Sequence, residues 1–239
     1  RPVRREALAC LQEMAAHKLE EGLFHRLVRE LPAAAAVLAQ DQSDPAACLP
    51  LHRALCATAA GALSMNLNKL PKDAAAAAYV QFLASIAEHP SLTVSHPALL
   101  TWCNLVRDES LAKFEPLKAV LPQVLYAYCS KLPKARLDED GFFEDELFSE
   151  DFADAAEYNE FNGKYRGLVV QTVRAVAERF PGAGLEFLLR LLRERLGQWG
   201  QPAPGDHLDE QGEVTRASEC YRQLEPLSFV AEAVVGSLR

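Results

Sequence analysis

No apolar stretch in this chain reaches membrane-spanning length without charges, so a transmembrane helix is not expected and no membrane insertion is inferred. There is no Cys-x-x-Cys pair. The six cysteines (Cys10, Cys48, Cys56, Cys103, Cys129, Cys220) are dispersed, each inside an apolar helical pattern, and no Asn-x-Ser/Thr acceptor is present. Reduced core thiols in a cytosolic or nuclear protein are the expected state. The six histidines (His17, His25, His52, His89, His96, His207) show no His-Glu-x-x-His spacing and no Cys/His cluster suited to zinc. A Gly-x-Ser-x-Gly elbow, a P-loop and a Gly-x-Gly-x-x-Gly after a strand are all missing. Those absences argue against an enzyme, and no cofactor or metal is expected. Alternation of period two is missing as well, and with it any expectation of sheet.

What is present is helical periodicity. Leu227, Val230, Ala231, Val234, Val235 and Leu238 recur at i, i+3, i+4 and i+7, as do Leu185, Leu188, Leu189, Leu192 and Leu196. Val169, Val173, Val176, Ala177 and Phe180 make a third stripe. Proline punctuates the pattern, at Pro32, Pro50, Pro71, Pro90, Pro97, Pro122, Pro133, Pro181 and Pro226, and each is expected to start or kink a helix. The spacing predicts helices near 3–21, 23–40, 46–68, 73–88, 96–111, 114–132, 153–179, 183–198 and 217–238. Residues 138–152 are expected as an acidic insertion and 200–216 as a variable Gly/Pro/acid loop. Consecutive helices joined by short turns fit either a globular bundle or an α-solenoid. The solenoid is preferred, because long insertions leave a stack of helix pairs undisturbed. At roughly 40–47 residues per HEAT pair, about four to five pairs fit one segment, 1–239. The chain starts at Arg1 rather than Met and is expected to be a piece of a longer one.

Basic charge is absent between Arg136 and Lys164, where eleven acidic residues are interleaved with five of the eleven phenylalanines. Without that run the formal balance moves from 25 − 33 = −8 to 25 − 22 = +3. The molecule is a near-neutral helical body carrying one acidic, aromatic-studded segment. Clustered carboxylates admit two readings, a solvated loop or a surface that steers and orients a basic partner. Calcium is a poor fit. With Gly141 as the required EF-hand glycine, Asp138 and Asp140 take the third and fifth positions, but Arg136 and Leu147 fall on the first and twelfth, where oxygen donors belong.

The segment EHPSLTVSHPALLTWCNLVRDESL, Glu88 to Leu111, has a His-Pro-Ser turn leading into a helix with Trp102. Downstream the acidic run passes into AEYNEFNGKYRGLVVQTVRAVAERFPGAGLEFLLRLLRERL, and the chain closes on CYRQLEPLSFVAEAVVGSL. In that order these stretches resemble the exportin-5 and HASTY family of the importin-β superfamily, over most of residues 75–239. The Ala-rich early helices (Ala33–Ala36, Ala74–Ala78) and the GQPAPGD loop depart from the family pattern.

The resemblance implies an all-α, right-handed solenoid of HEAT-type repeats. It further implies an export receptor that shuttles between nucleus and cytoplasm, meets nucleoporins, binds GTP-bound Ran and carries structured double-stranded RNA. Acidic loops of exportins meet basic patches on Ran, so Asp138, Glu139, Asp140, Glu144, Asp145, Glu146, Glu150, Asp151 and Asp154 become candidate Ran-facing carboxylates. Lys164 and Arg166 become candidate contacts to RNA phosphate, a role that needs point charges rather than base reading. Two alternatives stay open: a protein-cargo exportin of the same superfamily, and a HEAT scaffold whose acidic loop recruits another basic partner. The overall −8 charge weighs against strong RNA binding by this chain alone.

Overall fold

The structure is a computed structural model that describes residues 2–40, 45–138, 140–197, 211, 215 and 218–238. Among the described residues there are ten α-helices, one short 3₁₀ segment and no strand beyond an isolated bridge, the all-α helical-repeat class expected from the sequence. The chain divides into two compact units, Arg1–Val124 and Leu125–Arg239.

The first unit holds α1 (Pro2–Ala15), α2 (Glu21–Gln40), α3 (Pro45–Met65), α4 (Ala74–Glu88), α5 (Leu92–Arg107) and the start of α6 (Glu115–Ser130). Helices two apart in sequence pack on each other, α1 on α3 on α5 and α2 on α4, as stacked helical repeats do. Small residues allow this. Ala59, Ala60 and Ala62 are buried on α3, and Thr101 of α5 comes close enough to donate its hydroxyl to the Ala60 carbonyl at 3.0 Å. Tyr79 of α4 donates to the Ala59 carbonyl at 2.7 Å, and buried Trp102 donates its indole N–H to the Leu83 carbonyl at 3.4 Å. The large aromatics thus fill the core and still satisfy their polar atoms.

Several boundaries differ from expectation, α3 ending at Met65 rather than 68 and α5 at Arg107 rather than 111, and two others have identifiable reasons. α1 stops at Ala15 rather than continuing to 21 because the turn after it is held from a distance. Buried Asn66 accepts the Leu19 N–H at 2.9 Å and donates to the Ala62 carbonyl at 2.9 Å and the His17 carbonyl at 3.4 Å, while Lys69 donates to the Leu19 carbonyl. α5 starts at Leu92, not 96, because Ser91 is its N-cap and accepts the Val94 N–H at 3.2 Å. Pro97 therefore lies inside α5, as Pro32 lies inside α2, Pro122 inside α6 and Pro226 inside α10.

The second unit holds the end of α6, a short α7 (Glu146–Asp151), α8 (Ala155–Arg179), α9 (Pro181–Gly197) and α10 (Glu219–Ser237). The last three each pack on the other two. Their shared core takes Val169, Val173 and Val176 from α8, Phe187, Leu188 and Leu191 from α9, and Leu227, Val230 and Val234 from α10. Pro181 opens α9, where its missing N–H costs nothing. Gly184 lets α9 close onto α8, since a Cβ there would stand 2.9 Å from the Ala177 Cα. The loop expected over 200–216 lies, apart from Gln211 and Thr215, outside the described residues.

Candidate docking surface

The acidic run is not a bare loop. Leu137 and Phe143 form an antiparallel bridge, and the turn between them contains Gly141 at φ 86°, in the left-handed region that favours glycine. Asp138 closes this turn with its own side chain. One carboxylate oxygen accepts the N–H of Asp140 at 3.0 Å and of Phe142 at 2.8 Å. Its backbone N–H donates to the Phe142 carbonyl at 2.8 Å. Next comes α7, a helix inside the stretch expected as an insertion, with Asp145 as its N-cap accepting the Leu147 N–H at 2.9 Å. Asp154 caps α8 in the same way, accepting the Glu157 N–H at 2.8 Å, and Glu157 reaches back to accept the Ala153 N–H at 2.7 Å.

Six residues of helix have no stability of their own. α7 rests on an aromatic footing. Phe148 meets the Phe143 ring at 5.9 Å and the Tyr158 ring at 5.5 Å. Phe152 meets Tyr158 at 5.3 Å and Phe161 at 5.0 Å, and Phe161 stacks on Tyr165 at 6.0 Å. Phe152 and Tyr158 are buried. The Tyr158 hydroxyl accepts the Ala135 N–H at 2.7 Å, and burial raises its pKa above the ordinary phenol value. Edge-to-face ring pairs of this kind add about 0.5–1.5 kcal/mol each beyond burial. Phe143, Phe148 and Phe152 therefore pack against Tyr158 and Phe161 of α8, while most of the carboxylates are exposed.

Of the nine candidate carboxylates, Asp138, Asp140, Glu144, Asp145, Glu146, Glu150 and Asp154 are exposed, Asp151 is half-buried, and Glu139 lies outside the described residues. Glu144 stands 3.9 Å from Arg136. Asp138, Asp145 and Asp154 hold backbone as well as charge. Sequence reading found the acids but missed Tyr158 and Tyr165 as their foundation; the spacing of Tyr158, Phe161 and Tyr165 along one face of α8 was the available signal.

The two candidate RNA contacts part company. Lys164 is exposed and bonds Glu160 one turn away at 2.6 Å; that bond holds the Glu160 carboxyl below its usual range. Arg166 is mostly buried. Its Nε and Nη2 donate to the Leu132 carbonyl at 3.0 and 2.8 Å, its Nη1 pairs with Glu225 at 3.0 Å, and it lies over the Phe229 ring at 5.8 Å. It clamps the chain end of α6 to α8 and α10, so its guanidinium is engaged within the protein. Among the described residues no group of three or more His, Cys, Asp or Glu side chains is placed to hold a metal, and no helix is long and apolar enough to cross a membrane.

Comparison with known families gives a match to the Exportin-5 family over residues 47–235, which takes in most of both units and the whole acidic segment. Comparison with curated proteins finds no match.

Proposed function

The chain belongs to the exportin-5 family, a family of nuclear export receptors of the importin-β superfamily, and on that premise we propose that its acidic segment docks GTP-bound Ran. The observation that supports this is the sided arrangement of the segment. Aromatic rings anchor it to α8 while seven of the nine carboxylates are exposed. Charges held in place by the fold steer a basic partner without paying the ordering cost of a mobile loop on binding. Both units are read as parts of one helical-repeat segment.

In the same reading the receptor carries structured double-stranded RNA, meets nucleoporins and shuttles between nucleus and cytoplasm. Lys164 is the phosphate-contact candidate that this chain retains, since phosphate binding needs an exposed cation. Ran and RNA held by one receptor would each raise the affinity for the other by the same factor.

The test is binding of GTP-loaded and GDP-loaded Ran to this chain, with and without hairpin RNA. Beside it runs a variant with Asp→Asn and Glu→Gln at the nine positions, a choice that keeps side-chain acceptors at the helix caps. Selective binding of the GTP form is expected. Neutralisation should slow association by about 10-fold or more at low salt and flatten its salt dependence. Absence of binding to either form, or binding indifferent to neutralisation, would refute the reading.

A further inference from the structure

We propose that Phe142 is the apolar anchor of this surface, inserting into an apolar pocket rimmed by basic side chains on the protein partner; the inference rests on the acidic segment being a protein docking surface. Four of the five phenylalanines in the run join the ring cluster on α8. Phe142 is 70% exposed, the highest value among the large hydrophobics of the described residues. The bridge explains the direction. Phe143 packs inward against Phe148 and Tyr158, and neighbouring residues of an extended segment point to opposite sides, so Phe142 is turned outward.

A single exposed apolar residue is ordinary on its own. Phe142 differs because its backbone is bound on both sides: its N–H donates to the Asp138 carboxylate and its carbonyl accepts the Asp138 N–H, both at 2.8 Å. Gly141 supplies the turn that this pinning requires. Much of the ordering cost of presenting the ring is thus met during folding, as in interface anchors of high affinity. Charge then selects the partner class. Exposed Asp138, Asp140, Glu144 and Asp145 lie within four residues of the ring in sequence, and they repel nucleic-acid phosphate and anionic lipid alike. A basic protein surface with an apolar pocket complements both features.

Dissociation and association are read separately. Phe142→Ala should speed release of GTP-loaded Ran at least about 10-fold while leaving association and its salt slope unchanged, and Phe142→Trp should restore slow release. Carboxylate neutralisation acts on the opposite parameter, so the two sets of variants separate anchor from field. An unchanged thermal melt for Phe142→Ala would show that the fold is intact, as its exposure requires. Release within twofold of the unaltered chain overturns the anchor and leaves the docking reading standing. A Phe142-dependent affinity for hairpin RNA would replace the protein partner with a base-stacking role. If the unaltered chain binds no Ran, both proposals fall together.

Discussion

Arg166→Met is expected to destabilise the C-terminal unit by about 3 kcal/mol. Methionine keeps most of the stem volume, so the loss is polar rather than steric. Removing the guanidinium strips the Leu132 carbonyl of two donors; Leu132 is fully buried, and an unsatisfied acceptor costs about 1–3 kcal/mol. Glu225 loses its partner while its side chain is 25% exposed, so water recovers part of that cost and about 1 kcal/mol remains. The contact over Phe229 adds roughly 0.5 kcal/mol. In a unit of this size the total corresponds to a fall of about 10 °C in Tm. Arg166→Lys should rescue little, because one ammonium cannot reach both acceptors in the geometry of the fork. The assay is thermal and urea unfolding of Arg166→Met, Glu225→Gln and the double variant, with an expected coupling of about 1 kcal/mol. Destabilisation below about 0.5 kcal/mol, or additivity of the two changes, would refute the clamp. Lost affinity for hairpin RNA without a shift in Tm would instead return Arg166 to the phosphate-binding role that its sequence position suggested.

Asp145→Ala and Asp154→Ala should each cost about 1 kcal/mol as lost N-caps, with Asn at either position close to neutral; faster proteolytic nicking in 137–153 for the alanine variants alone would register the difference. Acid should weaken the N-terminal unit through two histidines. Burial lowers the pKa of His52 and of His96 below the ordinary 6.5, so the unfolded chain takes up protons that the folded one refuses. Their contribution is fully present above 6.5 and is lost as the pH falls below it. A Tm that drops between pH 7 and pH 5, and drops less in His52→Gln/His96→Gln, is the expected result; equal slopes would remove these two residues from the account.

Much of the helical plan could be read directly. The stripe on 169–180 became a packed face, because apolar spacing near 3.6 residues leaves a helix one way to bury it. By contrast, α9 buries Phe187, Leu188 and Leu191 and leaves Leu185, Leu189 and Leu196 of its expected stripe exposed, and α10 buries Leu227, Val230 and Val234 but not Val235 or Leu238. The errors came where a local signal competed with a distant one. Pro97 read as a helix start, but the cap at Ser91 was stronger and placed it inside α5. Residues 16–21 carry helix-forming side chains, yet Asn66 and Lys69, some 50 positions on, take up the backbone groups of that turn. The acidic candidates were legible by composition, while their support was not: Tyr158 and Phe161 look like any aromatics of a helix until Phe148 and Phe152 are folded onto them.

Sequence alone determined the class of the protein, its family and the location of its charge, because periodicity, motif order and net charge are properties of the linear chain. Which side of the acidic segment faces out was decided by tertiary structure, through the rings that draw Phe143, Phe148 and Phe152 onto α8 and leave Phe142 exposed. The fate of the cations was decided there too. Lys164 and Arg166 are two residues apart, about 200° around the same helix, so one faces solvent and the other meets Leu132 and Glu225. A side chain's charge is written in the chain, but what it is free to bind depends on which neighbours the packing brings within hydrogen-bonding distance.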